Sequence, residues 1–115
     1  MITLNETLRG KDKKDINSIA KIEIQRINPS LLPLQQALER SSIVSDSPFT
    51  ASILTFSEDN THLTIKTAIF FTGIIAGCNC ADDPSPVDEI NEYCELLFII
   101  NKENANTIVK LLKDE

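Results

Sequence analysis

The first sustained alternation of apolar and polar positions falls at residues 21–27, where Ile22 and Ile24 alternate with Glu23 and Gln25. Period-2 alternation predicts a strand with one wetted face. It stops at Asn28-Pro29-Ser30, after which Leu31, Leu34 and Leu38 recur at i, i+3 and i+7 with Ala37 beside them. That spacing predicts an amphipathic helix running to about Arg40. Ser30 is its expected N-cap, and Pro33 falls in the first turn, where an N–H has no helical partner to lose.

Residues 50–57 are rich in β-branched and aromatic side chains and predict a strand. Glu58-Asp59-Asn60 reads as a turn, and a second strand opens at His62 to make a hairpin. On this strand Leu63, Ile65, Thr67, Ile69 and Phe71 point one way, and Thr64, Lys66, Ala68, Phe70 and Thr72 the other. At Ile69-Phe70-Phe71 both sides are apolar, which predicts burial of the far half on both faces, inside the molecule or in a homodimer. The run Leu96-Leu97-Phe98-Ile99-Ile100, bounded by Asn101, predicts a central strand. Ile108, Val109, Leu111 and Leu112, with Lys110 and Lys113 close behind, predict a C-terminal helix. Residues 1–17 show no apolar period and are expected as a flexible N-terminal arm ahead of a single domain over 18–115.

The order β-α-β-β-β-α predicts an α+β fold: a four-stranded, mostly antiparallel sheet with two helices packed on one face. The alternative is a ferredoxin-like β-α-β-β-α-β arrangement with an added C-terminal helix, which needs a crossover helix within residues 84–93. That stretch is short and begins with Pro84 and Pro86, so the antiparallel meander is preferred. The choice governs chemistry. A meander brings Cys78 and Cys80 to the sheet end where Cys94 enters the next strand, whereas parallel strands separate them.

At 115 residues, 42% hydrophobic and 24% charged, the chain has the composition of one globular domain. Its net charge of −6 argues against nucleic acid or an anionic membrane as partner. No window approaches the ~20 apolar residues of a membrane-spanning helix, and the polar start is not a secretory signal. A soluble, cytoplasmic protein is expected. The charge is uneven: residues 78–95 carry Asp82, Asp83, Asp88, Glu89, Glu92 and Glu95 and no lysine or arginine. Such local repulsion is a cost unless solvent, a cation or a basic partner relieves it.

Three chemistries fit the segment 76–93. Cys78, Cys80 and Cys94 with Asp82 supply thiolate and carboxylate ligands suited to zinc, although a lone C-x-C lacks the paired spacing of recurrent zinc sites. The acids do not follow a calcium-loop pattern. Thiol redox chemistry is the second reading, opposed by Asp82 and Asp83, which raise a neighbouring thiol's pKa. The third is non-enzymatic binding, in which Cys78, Asn79, Cys80, Asp82, Asp83, Asp88 and Glu89 form a loop that docks on a basic protein partner. Phe70, Phe71, Ile74 and Ile75 would then serve either as an apolar anchor beside the acids or simply as core. Catalysis is the weaker expectation. The single histidine, His62, lies about a dozen extended residues from the cysteines, on the order of 40 Å. No phosphate-binding glycine loop is present. Binding through this loop is the leading reading and a zinc site the alternative.

Overall fold

The computed structural model describes residues 2–45, 47–75 and 89–112. Among the described residues the chain forms a six-stranded antiparallel sheet and three α-helices, which overturns the expected four-stranded sheet with two helices. The strands are β1 (Ile2–Thr3), β2 (Ile43–Val44), β3 (Thr50–Glu58), β4 (His62–Ile74), β5 (Ile90–Asn101) and β6 (Asn106–Leu112). The helices are α1 (Asn5–Arg9), α2 (Ile16–Gln25) and α3 (Leu34–Ala37). The sheet runs β1-β6-β5-β4, and β4 then pairs with β3 along most of its length and with β2 at its far end. β4 and β5 are antiparallel neighbours over twelve residue pairs, which excludes the parallel crossover of the ferredoxin-like alternative.

Residues 21–25 belong to a helix, not a strand. Ile16, Ile19, Ala20 and Ile24 share one helical face, and Ala20 and Ile24 are fully buried while Ile22 is 50% exposed. The 3.6-residue period along this helix outweighs a local alternation of two isoleucines. The helix expected over 30–40 is broken at Leu32. The residue before a proline is pushed out of the helical region, and Leu32 is extended at φ −102°, ψ 148°. A 3-10 turn (Pro29–Leu31) and the one-turn α3 lie on either side, and Asn28, not Ser30, is the cap: its side-chain oxygen accepts from the Ser30 N–H at 3.0 Å. The expected C-terminal helix is strand β6. Thr107, Ile108 and Val109 are stiff at χ1 and suit a pleated surface. They pair with Ile100, Ile99 and Phe98, and Ala105, at φ 63°, turns the chain back from β5.

The stretch read as an N-terminal arm contributes β1, α1 and the start of α2. Leu4 is 1% exposed, and the first turn of α1 takes its cap from α2: Glu23 accepts from the Glu6 N–H at 2.9 Å, the Thr7 N–H at 2.8 Å and the Thr7 hydroxyl at 2.6 Å. Helix N-termini carry orphan N–H groups, and this carboxylate satisfies two of them. The core lies on one face of the sheet, where Ile65, Ile69, Leu96 and Phe98 meet Ala20 and Ile24 of α2 and Leu34 of α3. The opposite, outer face carries no described helix. Phe70 lies on that face and is 50% exposed, so the far half of β4 is not buried on both sides within one chain.

Candidate functional site

The end of the sheet from which residues 76–88 depart is built by β2, β4 and β5. Gly73 pairs with Ile90 across β4 and β5, and Ile43 pairs with Ile74 across β2 and β4. Gly73 is required there: a Cβ would stand 2.5 Å from Ser41 Cβ and 3.0 Å from the Ile43 carbonyl oxygen. Segment 76–88 therefore joins neighbouring strands at one end of the sheet, between Ile75, 57% exposed, and Glu89. Ile43, 44% exposed, stands at the same end. Cys78, Asn79, Cys80, Asp82, Asp83 and Asp88 lie outside the described residues, as does the first half of the short helix considered over 84–93, whose later residues are strand from Ile90.

The described acids of the run go to three different places. Glu89 is exposed at the mouth of the segment, where it accepts from the Ser47 hydroxyl at 2.6 Å and the Thr72 hydroxyl at 3.3 Å. Glu92 points into the core face and is 5% exposed, accepting from the Arg40 N–H at 3.0 Å and the Glu39 N–H at 3.3 Å. Burial pushes its carboxyl up, but the Ser41 hydroxyl and the backbone N–H groups of Arg40, Glu39 and Ser41 outweigh this, and the carboxyl is held below its ordinary range. The Ser41 hydroxyl is buried and completes no hydrogen bond of regular geometry among the described residues, so it acts on Glu92 as a nearby dipole. Glu95 faces outward, accepting from the Tyr93 hydroxyl at 2.8 Å and pairing with Lys66 at 3.3 Å. The Tyr93 hydrogen bond, then Lys66, holds its carboxyl low.

Residues 90–93, included in the expected loop, are the first turn of pairing in β5. Glu92 is thus a structural clasp that fastens residues 39–41 to the sheet. Sequence reasoning missed it because the strand was expected to begin at Leu96. The signal was present: Ile90, Glu92, Cys94, Leu96, Phe98 and Ile100 occupy alternate positions, which puts Glu92 in phase with the core.

Cys94 is 7% exposed on the same face, opposite Ile69. It lines a cleft of about 210 Å³ together with Ala37, Leu38 and Leu111. Burial, with the Glu95 charge adding to it, pushes the thiol up to about 12. A thiol so raised is neutral at physiological pH, which opposes a nucleophilic role. Among the described residues no group of three His, Cys, Asp or Glu side chains is placed to hold a metal ion. His62 opens β4 at the opposite end of the sheet, 2.8 Å from the Thr61 hydroxyl. Near it Glu58 bridges Lys11 at 2.9 Å and Lys102 at 2.6 Å. Basic side chains thus stand at that end, and none occurs between Lys66 and Lys102.

No helix among the described residues is long and apolar enough to cross a membrane. No protein-family model matches the chain, and neither a curated protein nor a solved structure does.

Proposed function

We propose that the protein works by binding, without catalysis, and engages a basic protein surface through the sheet end that carries residues 76–89. The observation that supports this is the sorting of the acids. Glu92 and Glu95 are satisfied inside the fold, whereas Glu89, at the mouth of the segment, is exposed and among the described residues meets only the Ser47 and Thr72 hydroxyls. Exposed Ile43 and Ile75 stand at the same end of the sheet and add apolar contact area. Charge complementarity of this kind speeds encounter and sets partner choice. In a zinc site built from Cys78, Cys80, Cys94 and Asp82 the metal would have to displace the proton that burial holds on Cys94.

The test is partner capture with immobilised full-length protein, followed across a salt gradient. The wild type is expected to retain basic proteins and release them as ionic strength rises. Asp82→Lys combined with Asp83→Lys is expected to abolish that capture with no change in unfolding midpoint. Undiminished capture by the double variant would overturn the proposal.

A further inference from the structure

The outer face of the sheet has the composition of a covered surface. Antiparallel sheets that face water alternate apolar-in with polar-out. Here Phe70 and Tyr93 pack on the outer side, tilted by 52°, with ring centroids 5.1 Å apart. Leu97 and Ile99 follow on β5, half-buried, and Ile108 of β6, opposite Ile99, is 62% exposed. Polar positions on this face lie mainly on β3, with Ser52, Thr55 and Ser57, and on β4, with Thr64, Lys66 and Thr72.

We propose that a second copy of this chain covers the outer face, the two sheets packing face to face about a two-fold axis. The area is of the order required. Four strands about 4.8 Å apart and about seven residues at about 3.4 Å each give a flat footprint of about 460 Å² per copy, or about 900 Å² in the pair, close to the roughly 1,000 Å² of a biological interface. The occupant follows from charge and register. Lys66, Leu97 and Lys110 stand in one row across β4, β5 and β6, and Ala68, Glu95 and Leu112 stand in the next. A two-fold axis lying across the strands between these rows sets each row on its counterpart. Glu95 of one copy then faces Leu97 of the second copy, with that copy's Lys66 and Lys110 on either side. The same operation sets Tyr93 over Ile99 and Ile108 of the second copy, an aromatic ring on branched aliphatic side chains. A self-complementary patch of this sort is what an isologous interface requires. This contact is independent of residues 76–89, so the two proposals fail separately.

The experiment is sedimentation equilibrium of the full chain at micromolar concentration. The expected mass is twice 12.8 kDa for the wild type and for Asp82→Lys with Asp83→Lys. Ile108→Glu is expected to sediment at 12.8 kDa with an unchanged far-ultraviolet circular dichroism spectrum, because its side chain is exposed and its loss opens no core cavity. Should Ile108→Glu lose structure, Lys110→Glu, at another exposed β6 position, reads the same surface through Glu95 and is expected to dissociate the dimer. A wild-type monomer, or a folded Ile108→Glu or Lys110→Glu variant that stays dimeric, overturns the proposal.

Discussion

Glu92 shows how one residue can be misread from its neighbours. Among five other acids between positions 78 and 95 it reads as part of a charged loop, yet its carboxylate is nearly buried and fastens residues 39–41. Its folded-state pKa lies below the unfolded value of about 4.3. The carboxylate therefore contributes stability that is fully present above the unfolded pKa and is lost as pH falls through the folded one. Glu92→Gln keeps the shape but turns one acceptor oxygen into a donor aimed at backbone N–H groups. The expected loss is about 1–3 kcal/mol at neutral pH, the usual range for stranding a buried polar group. Urea unfolding of both proteins from pH 7 to pH 3 checks it. The wild-type advantage should shrink below about pH 4.5 as Glu92 takes up its proton. A constant difference across that range would remove the charge from the explanation.

At the scale of elements, α2 is where strand and helix readings make opposite claims about the same two residues. In a strand Ile22 and Ile24 share a face, so truncating either would cost alike. In the helix they lie about 200° apart, and only Ile24 is buried. Ile24→Ala is expected to cost about 2–5 kcal/mol and Ile22→Ala less than about 0.5 kcal/mol, measured by denaturant unfolding. Equal costs would restore the strand. The hairpin of β3 and β4 and the heart of β5 were legible because their patterns are locally complete: alternation, a turn-forming tripeptide, a bounded apolar run. β6 was not. Ile108, Val109, Leu111 and Leu112 satisfy a helical stripe equally well, and only pairing with β5, about ten residues away in sequence, decides between them. The break at Leu32 was legible in principle, since the restriction before Pro33 is local, but the leucine spacing masked it. Of the site, the acidic concentration was readable from composition. The sorting of Glu89, Glu92 and Glu95 was not, because it depends on where β5 begins and hence on register.

For the molecule as a whole, the sheet is asymmetric in its covering: helices bury one face, and the other presents Phe70, Tyr93 and Ile108. A single layer of strands stabilised from one side leaves apolar area that only association can remove from water. If a second copy supplies that cover, folding and association are linked, because whatever binds the folded chain and not the unfolded one adds to its stability by mass action. The thermal midpoint of the wild type should then rise with protein concentration, whereas a monomeric protein's midpoint is independent of it. Ile108→Glu should remove the concentration dependence, and its midpoint should match that of the wild type at the lowest concentrations, where the dimer has dissociated. Scanning calorimetry over a hundredfold range of concentration reads both quantities in one series. A flat wild-type series would leave the outer face bare in solution, and the fold would then rest on its helix-covered core alone.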